Sequence, residues 1–329
     1  MKNYQLVNNP KLESIYPEYP GNTMFKKRYI GDESRYLPSW GTLAKWLFSF
    51  NPQFREKRYD TFQVPFHENE NFLQTAKDQI VWLGHASFFI QLNGKRIITD
   101  PCWFNIFTKS RKVAIPCKAA SFVNIDYILI SHAHRDHLDF KTLKIIIKNN
   151  PKVQIMTGLG MTKLFPKAWR ENIQEAGWYQ KYNWPQGIDI SYLPAQHWNR
   201  RGIWDLDLQL WGSFFITDGN KKIYFGGDTA SGKHFDEARR ILGNMDISIL
   251  PVGAYKPAYV MRGVHLNPNE SIMAAKFLGA KTLIPMHYGT YSLSDEPIGE
   301  PIRLIQKAKE AGHFNFDFRP LGIGEVLEL

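Results

Sequence analysis

Four groups able to bind a metal ion fall within six positions in Ser131-His132-Ala133-His134-Arg135-Asp136-His137, directly after the apolar run 127–130. That density fits neither a helix face nor a strand face. His132 and His134 share parity, while Asp136 and His137 fall beyond the strand in a turn. The first pair can therefore hold one metal ion and the second pair another, a few Å away. Neutral imidazole and carboxylate are the ligands that zinc takes at about 2.0–2.2 Å. Burying three histidines and an aspartate after an apolar strand would be costly without partners.

Further ligands must come from elsewhere, and three candidates each close an expected strand. His197 follows residues 192–196. Asp228 follows 224–227, where Gly226 and Gly227 let the backbone run close to an ion. His287 follows 284–286. Asp100, in Thr99-Asp100-Pro101, is a candidate acceptor for a ligand imidazole N–H, which would fix that ring's tautomer and orientation; a turn-former before proline is the plainer reading. His85 invites the same two readings, a residue behind the ligands or a hydrogen-bonded structural histidine. His265 stands just before the helix expected from Pro268, in a segment that also carries Tyr255, Lys256 and Arg262. It could protonate a leaving oxygen or hold a phosphate, or make an ordinary loop contact. Asp136, Asp228 and His265 are thus the catalytic candidates, and Tyr255, Lys256, Arg262 and Tyr288 the candidate substrate contacts. His67, His234 and His313 have no motif context and are expected at the surface.

The elements that must position these groups are short. Strands are expected at 80–83, 88–92, 96–99, 127–130, 154–157, 189–193, 213–217, 222–225, 247–251, 282–285 and 324–329, with hairpin signals at Asn93-Gly94 and Asp218-Gly219. Helices are expected at 138–148, 234–242, 268–278 and 302–311. Meander-like strands alternating twice with helices suit an α/β arrangement of two sheets packed face to face with helices outside. Polar residues at strand ends then converge on one edge. Residues 1–75 form an irregular Pro/Gly/aromatic leader before a domain over 76–329. The leader's one amphipathic helix candidate, 41–51, carries Leu43, Trp46, Leu47 and Phe50 at helical spacing. Such a stripe packs on the body or, flanked by basic residues, lies in a membrane interface.

Composition narrows the class. Two cysteines, Cys102 and Cys117, imply no disulfide framework and exclude a thiol-rich metal cluster. The first thirty residues hold no signal-like apolar run, and no stretch approaches the roughly 20 residues of a membrane span. A cytoplasmic protein, soluble or peripheral on the inner face of the membrane, is expected. The net charge of +10 favours anionic lipid, phosphate-bearing substrates or nucleic acid. With no basic-aromatic module of the kind that tracks single strands, nucleic acid is not expected as a partner. Nothing visible sets the oligomeric state.

The pattern HxHxDH, a distant histidine, Gly227-Asp228-Thr229 and a final histidine resembles the metallo-β-lactamase superfamily, which implies a four-layer αββα sandwich of two mixed sheets. By that resemblance His132, His134 and His197 hold one metal, Asp136, His137 and His287 the other, and Asp228 bridges both. Residues 82–87, 99–101, 196–198, 210–213, 253–257, 261–262, 265–268 and 287–290 together resemble the N-acylphosphatidylethanolamine-hydrolysing phospholipase D family, over about 38–301. Residues 82–85 also fit the ascorbate-6-phosphate lactonase branch. Lys256 replaces an acid common in the family, and Asn269 stands where Pro-Glu-Glu is common; both bear on the substrate. The expected activity is phosphodiester hydrolysis on N-acylphosphatidylethanolamine or a related phospholipid, by a hydroxide bridging two Zn2+, with Mn2+ or Fe2+ as other metals. A lactonase or sugar-phosphate hydrolase is the alternative enzyme, and a metal-stabilised binding protein the non-enzymatic one.

Overall fold

A strand that is apolar at every position needs cover on both faces, and the first half of the chain supplies it. Along Gln79–Gly84, Ile80 and Trp82 enter one buried cluster while Val81 and Leu83 enter another. Ser87–Leu92, Lys95–Thr99 and Tyr127–Ile130 repeat this period of two. Phe88, Ile90, Ile97 and Leu129 face the first cluster; Phe89, Ile98, Ile128 and Ile130 face the second. The second is closed by the helix Phe140–Asn149 through Leu143 and Ile146. The first lies against the other sheet, where Phe88 meets Phe225 with ring centroids 6.4 Å apart. Each such side chain contributes about 1.5–3 kcal/mol of burial, so this double-sided packing holds the strand ends rigidly in place.

The computed structural model describes residues 4–31 and 37–329. Residues 1–3 and 32–36, part of the expected leader, lie outside the described residues. Among the described residues a seven-stranded mixed sheet runs in the order Ile173–Ala176, Gln154–Gly158, Tyr127–Ile130, Lys95–Thr99, Ser87–Leu92, Gln79–Gly84, Val326–Glu328. An eight-stranded mixed sheet runs Asp317–Phe318, Thr282–Met286, Ile247–Pro251, Lys222–Phe225, Ser213–Thr217, Asp189–Leu193, Gln180–Lys181, Glu13–Ser14. Helices His234–Leu242, Pro268–Phe277 and Glu300–Glu310 cover the larger sheet through Phe235, Ile272 and Ile305. Two mixed sheets with flanking helices are the fold anticipated from the alternation of elements.

Helix starts follow local chemistry. Asp139 accepts from the Lys141 and Thr142 N–H groups and begins its helix at Phe140, past the expected 138. Asn267 and Glu270 form a reciprocal capping box at Pro268.

Residues 4–31 and 37–75 are more regular than their proline and glycine content suggests. Gln5–Val7, Asn22–Phe25 and Arg28–Tyr29 make a three-stranded sheet, and Glu13–Ser14 pairs with Gln180–Lys181 at the edge of the large sheet. The helix expected at 41–51 spans Trp40–Phe48, begun by Ser39, whose Oγ accepts from the Thr42 N–H. Its stripe divides. Leu43 and Trp46 are half-buried, whereas Leu47 is 76% exposed, as is Phe50 beyond the helix end, and Phe48, outside the expected stripe, is 90% exposed. Trp46 Nε1 donates to Asp295 at 3.0 Å, tying the helix to the body. No described helix is long and apolar enough to cross a membrane.

Candidate metal centre

Six strands deliver their carboxyl ends to one rim. Gln79–Gly84 leads to His85, Lys95–Thr99 to Asp100, Tyr127–Ile130 to Ser131 and His132, Asp189–Leu193 to His197, Lys222–Phe225 to Asp228 and Thr282–Met286 to His287. His85, Asp100 and His287 take left-handed φ values of 56°, 32° and 63°. Such a conformation costs a non-glycine residue about 1–3 kcal/mol and persists where its surroundings enforce it, typically at functional sites. At Gly227, also left-handed at 55°, a Cβ would lie 2.8 Å from the Ser131 Cβ and 3.0 Å from the Gly212 carbonyl oxygen. The glycine lets the Asp228 loop lie against the His132 loop.

The ligand candidates converge. His132 Nε2 lies 2.8 Å from His134 Nδ1, and His197 Nε2 lies 3.2 Å from the same atom. Asp228 Oδ2 is 3.8 Å from His197 Nε2, 3.9 Å from His132 Nε2 and 3.2 Å from His137 Nε2, and its Oδ1 is 3.2 Å from His287 Nε2. Asp136 Oδ2 is 3.5 Å from His287 Nε2 and 3.6 Å from His137 Nε2. Asp228 thus stands between two groups of side chains. Ligands at 2.0–2.1 Å from a tetrahedral zinc lie roughly 3.3 Å from one another, within the range seen here.

Hydrogen bonds behind the rings turn their lone pairs inward. His137 Nδ1–H donates to Asp100 Oδ2 at 2.7 Å, and His197 Nδ1–H to the Val264 carbonyl at 2.7 Å. Ser131 Oγ–H donates to Asp100 Oδ2 at 2.6 Å, so at 2.9 Å the same oxygen accepts from His132 Nδ1–H. Nε2 of all three rings is thereby turned toward the cluster. His137 Nε2, His287 Nε2 and Asp228 Oδ1 are buried and, for all their closeness, meet no partner in hydrogen-bonding geometry. Each such group ordinarily costs about 1–3 kcal/mol, and their concentration fits a binuclear His/Asp metal site.

Electrostatics agree. Burial alone would raise Asp136 and Asp228, but His137 and His287 beside them hold both well below the carboxylate range. The carboxylates in turn outweigh burial at His137, which is held well above its ordinary value, and at His287, raised to about 9. Burial pushes His132 and His197 well down and His134 to about 4. The carboxylates call for positive charge, and the lowered imidazoles of His132, His134 and His197 offer lone pairs.

Around this core, Asp100 lies behind two of the rings, fully buried. His85 is nearer the centre than a purely structural histidine: its Nε2 lies 3.0 Å from Asp136 Oδ2, and it groups with Asp136, His137 and His287. His265 Nδ1 is 3.9 Å from Asp228 Oδ2, and burial pushes that ring down to about 4. His234, expected at the surface, is buried, and its Nε2 lies 3.0 Å from Thr229 Oγ1, beside Asp228. Its place in the helix His234–Leu242, directly after the Asp228 loop, draws it inward. His67 and His313 are exposed.

A cavity of about 580 Å³ opens onto His134, Asp136, Asp228, His265 and His287. Leu43, Trp46, Val260, Met261 and Val264 give it an apolar wall, and Arg135, Arg200 and Arg201 lie at its other side. None of the four proposed substrate contacts lines it. The Tyr255 hydroxyl donates to Glu300, and Lys256 Nζ binds Glu300 and Gln53, each at 2.6 Å. Tyr288 is buried and stacked on Trp82 at 5.0 Å. Arg262 is exposed on a separate cavity with Ser231 and Glu270. The sequence reading missed Trp40, Phe107, Trp198 and the three arginines. Arg135 lies within the histidine motif and Trp198 directly follows His197, the only local signals available.

Comparison with known proteins agrees with this geometry. Residues 95–288 match the family model of the beta-lactamase superfamily domain. The chain is 30% identical, over all of its length and 94% of the relative's, to the N-acyl-phosphatidylethanolamine-hydrolyzing phospholipase D 1 of Caenorhabditis elegans. It is 29% identical to the mitochondrial N-acyl-phosphatidylethanolamine-hydrolyzing phospholipase D of Saccharomyces cerevisiae, over 78% of this chain and 57% of that one. Among solved structures, the isothiocyanate hydrolase from Delia radicum gut bacteria superposes with a TM-score of 0.59 at 19% identity, covering 76% of this chain and 98% of that one. The metallo-beta-lactamase fold protein YhfI of Bacillus subtilis gives 0.53 at 18%, covering 77% and 99%. With the two mixed sheets, the rim of histidines and aspartates and the matching domain model, the chain belongs to the metallo-β-lactamase superfamily of metal-dependent hydrolases.

Proposed function

We propose that this hydrolase is a phospholipase D-like phosphodiesterase acting on N-acylphosphatidylethanolamine or a related phospholipid. The observation that carries the reading is the apolar wall of the cavity, which opens directly onto the histidine–aspartate cluster. Such a wall suits acyl chains, while a sugar phosphate or small lactone would be served by polar walls. The likeness to the worm and yeast enzymes supports the same substrate class.

In this reading His132, His134 and His197 hold one cation, Asp136, His137 and His287 the other, and Asp228 serves both. Divalent cations there supply the charge that draws in a phosphoryl oxygen and acidifies water. The chain's own groups do the rest. Asp100, Ser131 and the Val264 carbonyl keep three imidazoles in the required tautomer and orientation. His265, neutral near pH 7 because burial lowers it, is placed to accept a proton or to hydrogen-bond a phosphoryl oxygen beside Asp228. Leu43, Trp46 and Val264 seat the apolar chains and keep bulk water off the cluster.

The outward face of the helix Trp40–Phe48, with exposed Leu47 and Phe48 and the basic Lys45, Arg55 and Arg58 nearby, fits peripheral contact with an anionic bilayer. Trp46 faces the cavity, so Phe48 is the better probe of the bilayer. The test incubates the metal-loaded protein with N-acylphosphatidylethanolamine vesicles, alongside a phosphomonoester and a lactone. Release of N-acylethanolamine and phosphatidic acid is expected, faster when phosphatidylserine is present, and Phe48→Glu should remove that increase. Turnover of the lactone or phosphomonoester alone would overturn the phosphodiesterase reading. An unchanged phosphatidylserine effect in Phe48→Glu would overturn the bilayer contact.

A further inference from the structure

Three arginines, Arg135, Arg200 and Arg201, line the cavity beside the metal centre, and they are not used alike. Arg201 turns inward: its Nη1 donates to the Ala133 and Leu138 carbonyls at 3.1 and 2.8 Å, and its side chain crosses the Phe140 ring at 4.6 Å. It pins the loop after His197 to the loop carrying His132–His137.

Arg135 and Arg200 remain at the opening. Arg135 lies over the Phe107 ring at 4.2 Å, and its Nη2 donates to the Arg201 carbonyl at 3.3 Å. Arg200 lies over the Trp40 ring at 5.2 Å, with Nε and Nη2 donating to the Gly202 and Ile203 carbonyls at 2.8 Å each. Both guanidinium groups are therefore held in place, on aromatic faces and by carbonyls, rather than waving in solvent. Both keep unused N–H donors.

Neither has a carboxylate within ion-pair distance among the described residues. The nearby Asp205 is spent on the backbone N–H groups of Arg201 and Gly202. The carboxylates lining the cavity, Asp136 and Asp228, face the histidines. A guanidinium fork matches the paired oxygens of phosphate and carboxylate.

We propose that Arg135 and Arg200 form a second anion-binding site at the cavity mouth, outside the metal centre, for a phosphate or carboxylate group of an amphiphile. The inference rests on the amphiphile reading of the cavity but not on which bond is hydrolysed. The anion is either a second charged group on the molecule in the cavity or the headgroup of a neighbouring lipid.

The experiment uses the metal-loaded protein and two soluble short-chain phospholipids below their aggregation concentration. One has an ethanolamine head; the other has a serine head with its extra carboxylate. Binding is read from tryptophan emission, since Trp40, Trp46 and Trp198 line the cavity, and hydrolysis is read separately from released headgroup. A second arm measures adsorption to vesicles of phosphatidylcholine with and without equimolar phosphatidylserine. The wild type should prefer the serine lipid by about tenfold, the effect of one good charge-assisted contact. Arg135→Gln/Arg200→Gln should bring that ratio to near unity or, if the anion is a neighbouring headgroup, abolish only the preference for anionic vesicles. Lys144→Gln/Lys148→Gln, which removes as much charge from exposed positions further along the helix Phe140–Asn149, should change neither. Preserved melting temperature and metal content in the arginine variant separate this from misfolding. If the wild type and the arginine variant show equal ratios in both arms, the site does not exist. If binding is selective but no headgroup is released, the site stands and the phosphodiesterase reading falls.

Discussion

Asp100 accepts hydrogen bonds from His137 Nδ1 at 2.7 Å and from Ser131 Oγ at 2.6 Å, and the serine oxygen in turn accepts from His132. One buried carboxylate thus orients a ring in each of the two ligand groups. Asp100→Asn keeps the size but loses the charge and one acceptor site. Affinity for the metal ions should fall by about 10–100-fold, measured by competition with a chromogenic chelator; unchanged affinity would show that Asp100 only forms a turn. His265 sits closer to the chemistry. With its ring neutral near pH 7, His265→Ala should lower kcat by about 10²–10⁴ with the metal content intact. A variant that keeps its kcat would reduce His265 to a loop contact. At this scale the ligand motif was legible because histidines and an aspartate crowd one strand end. The buried position of His234, and the closeness of His85 to Asp136, were not legible, because each depends on a partner that no local pattern announces.

Elements carry these residues, and the segment joining the helix Trp40–Phe48 to the strand Gln79–Gly84 is held by polar clamps. Asp60 binds Arg303 through two contacts of 3.0 Å and accepts from the Gly299 and Phe62 N–H groups. Burial opposes its charge, yet the Arg303 and backbone contacts leave its pKa below the ordinary 3.8. A carboxylate lowered on folding stabilises the protein above its unfolded value and loses that contribution as pH falls through the folded one. Asp60→Ala should therefore cost about 1–2 kcal/mol at pH 7, the range for hydrogen bonds to a charged group with a half-exposed partner. The deficit should shrink below pH 4. Denaturant melts at both pH values measure it, and an equal deficit at each would contradict the clamp. Helices and central strands were readable from period and caps. The short strands at Glu13–Ser14 and Gln180–Lys181 were not, since each is defined only by a partner far along the chain.

At the scale of the whole molecule, two sheets buried on both faces make a rigid frame whose rim bears the cluster. The buried atoms left without partners there mean that the frame alone does not complete the site. Ion binding should therefore stabilise the fold by mass action. A chelator should lower the melting temperature of the wild type, and restored zinc, manganese or iron should raise it. The walls of the cavity were the part least legible in sequence. Tyr255, Lys256, Arg262 and Tyr288 looked placed for substrate by their position along the chain, yet the cavity is lined instead by Trp40, Trp46, Arg135 and Arg200. Those residues come from segments 37–46, 134–136 and 198–206, which only the folded molecule brings together.

Elemental analysis by mass spectrometry of the purified protein, beside Asp228→Ala, bears most directly on the paired-cation centre. Two equivalents of divalent metal per chain are predicted for the wild type, with loss of at least one in the variant, whose shared carboxylate is gone. A wild type carrying no more than trace metal after incubation with zinc, manganese or iron would contradict the account.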